Sequence, residues 1–242
     1  MNNWNYNEQN GFRTAVQAEN ELTLQRYVAG VMRKVYGKMT LGLLVTALTS
    51  FLMLSSQTVM NVFLGTKALF FGAFILELGL VFYLSARIDK LNTGTATMLF
   101  YLYSMLNGVT LTPIFLAYTG ASIATTFALT AGTFGAMTVF GYVTRQDLSK
   151  IGSFLFMALI GLILCLVVNV FMHNAMMDLL ISCAGVLIFV GLTAWDTQSI
   201  KRMAAEADQT TTGKVATMGA LMLYLDFINL FIYLLRFFGS RE

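Results

Sequence analysis

The stretch DLLISCAGVLIFVGLTAWDTQSI (178–200), KRMAAEADQTTTGK (201–214), VATMGALMLYLDFINLFIYLLRFF (215–238) decides the fold class. Two apolar runs flank a polar connection, and each has about the 20 residues a helix needs to cross a hydrocarbon core. That pattern is a transmembrane helical hairpin. Towards the N-terminus, comparable runs recur at 39–56, 68–86, 96–118, 122–143 and 152–172. The expected fold is an all-α integral membrane protein of seven transmembrane helices with no soluble domain. Residues 1–38 read as a polar cytosolic tail, with 20–38 an amphipathic helix leading into the membrane, and 39–239 as the transmembrane domain.

Composition supports this. The chain has 242 residues, 57% hydrophobic and 11% charged, with mean hydropathy +0.71. Soluble domains carry roughly 25% charged residues, so this chain could not cover a water-soluble globule of its size. The net charge of +3 is too small to imply a nucleic-acid partner. Cys165 and Cys183 lie in apolar runs, and the lone histidine, His173, falls in a short connection. No disulfide framework or zinc spacing follows from them. The sequence carries no Gly-rich phosphate loop, Ser/His/Asp arrangement or HExxH motif, so no enzyme activity and no cofactor are expected. Gly132, Gly135 and Ala136, like Gly185 and Gly191, suit close helix packing in lipid. Pro113 is expected to bend the third span, because it lacks an N–H and clashes with the preceding turn.

Loop charges give the orientation. With the N-terminus inside, one side holds Arg13, Arg26, Arg33, Lys34, Lys38, Arg87, Lys90, Arg145, Lys150, Lys201, Arg202 and Lys214. Only Lys67, Arg236 and Arg241 fall on the other. The N-terminus is therefore expected in the cytoplasm. The last run, 215–238, is long enough for a full span that places the C-terminus outside, although Arg236 and Arg241 would also suit a re-entrant segment.

A carboxylate at bilayer depth costs about 2.5–3.5 kcal/mol even on insertion scales, so each needs a reason. Three acids stand out: Glu77 in the second span, Asp196 late in the sixth and Asp226 in the seventh. Asp196 and Asp226 flank one connection, so an antiparallel pair of helices brings them to similar depth. On helical periodicity Asp196 shares a side with Ser182, Gly185 and Thr193, and Asp226 with Gly219, Asn229, Tyr233 and Arg236. Two carboxyls close together out of water share a proton and titrate as a unit. Their oxygens also suit a hard divalent cation such as Ca²⁺. The alternative is that each acid merely hydrogen-bonds a neighbouring helix. Arg87 either snorkels to the interface or turns inward as a counter-ion to the pair.

At these residues a resemblance enters. GLTAWDTQSIKRM (191–203) and LYLDFINLFIYLLRFFG (223–239) resemble signatures of the Bax inhibitor-1, or transmembrane Bax inhibitor motif, family. ILELGLVFYLSARI (75–88) and NGVTLTPIF (107–115) are similar to its second and third spans. The similarity extends from about residue 25 to 239, and the bacterial inner-membrane branch is nearest. It implies a central last helix wrapped by two layers of three. It also implies a pH-sensitive Ca²⁺ leak gated by an aspartate pair, Asp196 and Asp226, with Arg87 as an arginine latch. Here Arg87 is followed by Ile88 and Asp89 where some relatives carry an arginine cluster.

The sequence-based expectation is a passive Ca²⁺ leak channel of the bacterial inner membrane, regulated by protons. Its pathway would involve Asp196, Asp226, Arg87, Glu77 and Asn229, with Ca²⁺, H⁺ and the lipid bilayer as partners. Two rivals remain. One is a proton-linked carrier of a small solute, which the polar residues Asn107, Asn169 and Asn229 permit. The other is a non-transporting regulator that binds membrane proteases through its N-terminal tail.

Overall fold

The computed structural model describes residues 3–208 and 210–240, without the side chains of residues 3–18 and 64. The described helices are α1 (Asn3–Ser55), α2 (Gln57–Gly65), α3 (Lys67–Arg87), α4 (Thr93–Ala117), α5 (Gly120–Val143), α6 (Ser149–Met172), α7 (Ala175–Glu206) and α8 (Thr212–Phe238). Seven of them are long and apolar enough to cross a membrane, all except α2. The chain is a helical integral membrane protein.

Short polar caps cut this apolar chain into spans. Asn92 accepts from Thr95 N at 2.7 Å to start α4, and Thr119 accepts from Ser122 N at 3.2 Å to start α5. His173 ends α6 in the left-handed region, with φ 50°, and Asn174 immediately caps α7 through the amides of Met176 and Met177. Two residues thus make the tight hairpin between the fifth and sixth spans. Such caps satisfy helix-end N–H groups that hydrocarbon would leave unpaired.

α8 is the axis. Its apolar window is 72% buried, against 11–39% for the other six spans. It packs on α1 and α4 on one side and on α5 and α7 on the other. α3 joins the first layer through α4, and α6 joins the second through α7. The result is α1, α3 and α4 against α5, α6 and α7, with the last helix between them, as expected. α8 runs the whole length of the bundle. Its start follows the α7 connection, and beyond its end Ser240 bonds the α4–α5 turn at Thr119 and Ser122. This favours the full span over a re-entrant segment.

The boundary between tail and bundle differs from the expected one. Val28, Val31, Met32 and Val35 are buried in the common core, so the bundle begins near residue 27 rather than 39. The polar residues Arg33, Lys34 and Lys38 had masked an apolar stripe at helical spacing, 28–31–32–35–39, that faces α7 and α8. With 53 residues, α1 is about 80 Å long and outruns any bilayer. α2, a short helix between the first two spans, was not expected from the sequence. α4 continues unbroken through Pro113, which lies in its last turns.

Glycines set the closest approaches. A Cβ on Gly141 would lie 2.2 Å from the carbonyl oxygen of Ala194, and one on Gly152 would lie 2.2 Å from the Trp195 ring. α5 and α6 can therefore seat against α7 only with hydrogen at these positions. Gly132 faces open space. Gly141→Ala should thus lower stability by about 1–3 kcal/mol through overpacking. Gly132→Ala should leave it unchanged or raise it by up to about 1 kcal/mol through helix propensity. Thermal unfolding of both variants in detergent checks this contrast.

Candidate functional site: a buried aspartate pair

Three consecutive residues of α7 serve three different neighbours. Ala194 packs on Gly141 of α5, Trp195 on Gly152 of α6, and Asp196 turns to α8. Successive residues on a helix point about 100° apart, which makes this division possible.

α8 is fixed from its opposite side. The Tyr224 hydroxyl and the Thr46 hydroxyl lie 2.6 Å apart, and Thr46 donates to the Ser104 carbonyl at 2.8 Å. Phe100 and Tyr103 meet the Tyr224 ring edge-on at 5.7 and 5.8 Å. Asp226 stands two positions on, about 200° around the helix, so anchoring Tyr224 to α1 and α4 aims Asp226 at α7. The two carboxyls face each other there as interacting neighbours. Asp196 is 8% exposed and Asp226 3%. Ionised carboxylates only accept, so a hydrogen bond between the two acids would need one proton shared by them.

Nothing else neutralises them. Thr193 and Thr197 donate their hydroxyls to carbonyls of their own helix, and one oxygen of each carboxyl has no protein partner. Among the described residues the one ion pair is Arg202 with Asp147, at 3.0 Å on the surface.

The remaining expected site residues do not join the pair. Arg87 ends α3, which packs on α4, and its side chain is exposed. It makes no ion pair with Asp196 or Asp226, so the latch arrangement is not seen. Glu77 is buried between α3 and α4, where it accepts from Asn107 and from the Thr110 hydroxyl at 2.7 Å. It is satisfied by its neighbours and separate from the pair. Asn229 donates back to Leu225 O at 2.8 Å on its own helix. Asn169 holds the α6–α7 turn, donating to Asp178 and accepting from Asn174 N.

The sequence reading missed a cavity of about 530 Å³ at the end of the bundle away from the α7–α8 connection, lined by Pro113, Tyr118, Asp178, Ser182, Ile232 and Arg236 among others. Between it and the pair, the rings of Phe189 and Tyr233 stack at 5.8 Å. Each ring lies seven residues, about 10 Å, along its helix from its aspartate. Of the polar positions noted in the sequence, Ser182 on the sixth span and Arg236 on the seventh line this cavity.

Residues 28–242 match the family described as "Inhibitor of apoptosis-promoting Bax1". The chain belongs to the Bax inhibitor family. It is 49% identical over 222 residues to the inner membrane protein YbhL of Escherichia coli K12, covering 90% of this chain and 93% of that protein. It is 42% identical over 222 residues to an uncharacterized protein of Rickettsia prowazekii, covering 90% and 91%. An uncharacterized membrane protein of Streptococcus pyogenes serotype M1 is 38% identical over 233 residues, covering 94% and 98%. The family match begins at residue 28, the first buried position among the described side chains of α1.

A further acid, in the connection that follows α7, can be separated from the pair by pH. Asp208, in the α7–α8 connection, accepts from the hydroxyls and amides of Thr210 and Thr211. The Thr211 and Thr210 hydroxyls, with the Thr211 amide, hold its carboxyl down at about 2, below the usual 3.8. A depressed value means that its contribution to the loop is complete above the ordinary carboxylate range and is lost as pH falls through about 2. Any response of this Bax inhibitor family member between pH 5 and 8 must therefore arise elsewhere. Carboxyl NMR titration should find the Asp208 midpoint near 2, and Asp208→Asn should leave a response at neutral pH in place.

Proposed function

We propose that the protein is a passive, proton-sensitive Ca²⁺ leak channel of the bacterial inner membrane, seen here closed. The observation that carries this reading is the contact between Asp196 and Asp226, two carboxyls buried in the bundle core with no cation beside them. Such a pair is a poor structural brace, because a hydrophobic pair of equal volume avoids its desolvation cost. It is a good proton sensor, because the proton that joins the two acids also neutralises them. Loss of that proton leaves two adjacent negative charges, which repel each other and attract a hard cation.

Ca²⁺ takes six to eight oxygens, and no cluster of three or more acidic, His or Cys side chains stands ready among the described residues. Two carboxylates alone give a site an ion occupies briefly and leaves, which suits passage rather than storage. The route from the large cavity is shut by the stacked Phe189 and Tyr233 rings. YbhL is named as an inner membrane protein, which supports the same membrane here. The basic residues gathered at the end bearing the α7–α8 connection support a cytoplasmic N-terminus. The asparagines that would favour an organic-solute carrier are all engaged in local bonds.

In proteoliposomes, wild-type Ca²⁺ flux should change with pH between about 6 and 8, whereas Asp196→Asn and Asp226→Asn should each flatten that profile to within about twofold, because neither retains a pair that can share a proton. PH dependence surviving in both variants overturns the proposal. Phe189→Ala opens the aromatic layer without touching the pair. It should raise basal flux several-fold while keeping the pH profile, since a side-chain-sized gap in an apolar constriction readmits water.

A further inference from the structure

Two adjoining grooves lie where the middle of α1 meets the C-terminal ends of α5 and α7, close to the α7–α8 connection. The first, about 380 Å³, is lined by Leu24, Val28, Tyr142, Val143, Lys201 and Ala205, with Gln25 at its edge. The second, about 360 Å³, is lined by Arg145, Gln146, Asp147, Gln198, Lys201 and Arg202, with Thr144 and Ala205. They share Lys201 and Ala205, so together they form one channel that is apolar at one end and cationic at the other.

The depth of this channel is fixed by Tyr27, whose hydroxyl donates to the Ala207 carbonyl at 3.0 Å, at the end of α7. The grooves therefore sit at the bundle's polar rim, where headgroups lie. The charge balance is positive. Asp147, the one acid in the lining, is neutralised by Arg202 at 3.0 Å. Arg145 is exposed and makes no ion pair among the described residues. Lys201 donates to the Tyr142 carbonyl at 2.8 Å and lies 4.8 Å above the Tyr142 ring, which holds its ammonium at the junction of the two grooves with no acid beside it. Leu24 and Val143 stay 47% and 68% exposed along the apolar end.

We propose that this channel is a binding site for one anionic phospholipid of the cytoplasmic leaflet. The phosphate lies between Arg145 and Lys201, and an acyl chain runs along Leu24, Val28 and Val143. Basic pockets between membrane helices take such headgroups, and each cation near the surface contributes about fivefold in affinity. A free phosphate would satisfy the cations and leave the apolar groove wet. A zwitterionic lipid would fill the groove and leave the cations without a net counter-charge. Only an anionic amphiphile fits both halves. The leaflet rests on the orientation proposed above, whereas the site itself does not.

The full chain in nanodiscs of phosphatidylcholine, titrated with a fluorescent phosphatidylglycerol, tests the site without measuring ion flux. Arg145→Gln with Lys201→Gln should weaken binding roughly 25-fold, and Lys201→Arg should restore the part due to residue 201. Ala205→Phe, on an exposed helix face at the junction, should block binding with all cations in place. Thermal unfolding in neutral detergent separates loss of the site from loss of the fold. Equal affinity in wild type and in both the double variant and Ala205→Phe overturns the proposal. So does competition by glycerol phosphate as strong as by the whole lipid. A failure here leaves the aspartate pair unaffected, and a flat pH profile in flux leaves this site unaffected.

Discussion

Everything distinctive about this bundle depends on burying two carboxyl groups against each other. Desolvating one carboxylate is expensive, and desolvating two side by side is more so. The pair is held in place by surrounding helices that are tightly seated. On one side of α8, Tyr224 is fixed to Thr46 and edged by Phe100 and Tyr103. On the far side of α7, glycines at 141 and 152 let α5 and α6 press Ala194 and Trp195 into place. The aspartates sit where these two constraints converge.

The proposed gating makes this contact a two-state element. In that proposal, a shared proton holds α7 to α8 and the aromatic layer of Phe189 and Tyr233 stays closed, whereas loss of the proton makes the same two side chains push the helices apart. Packed interfaces respond to such a change by switching between arrangements rather than deforming smoothly. The rest of the polar inventory supports stability. Glu77 is tied to Asn107 and Thr110, Asn169 to the α6–α7 turn, and Asn229 to its own backbone. These groups explain how the helices stay satisfied in lipid without adding members to the site.

The two ends of the molecule are built differently. One end carries the large cavity with Asp178 and Arg236. The other carries the basic rim, the clamp of Tyr27 on the α7–α8 connection and the loop of Asp208. Gln198 and Arg202 stitch the α5–α6 connection to α7.

The sequence by itself determined the membrane class, the spans and the identity of the acids buried in them. Hydrocarbon imposes a length of about 20 apolar residues and makes every buried charge conspicuous, so those features are written in one dimension. Even the meeting of Asp196 and Asp226 was legible, because a short connection fixes the relative depth of antiparallel helices. What only the tertiary structure decided depends on which face meets which neighbour. Arg87 lies on an outer helix and cannot be placed by its distance along the chain. Glu77 is paired with residues 30 and 33 positions away. The first eleven or so bundle residues of α1 look like a tail because their polar positions face water while a stripe of four buries itself. The cavity, the aromatic layer and the lipid-sized grooves arise from gaps between helices, and no single helix carries a record of a gap.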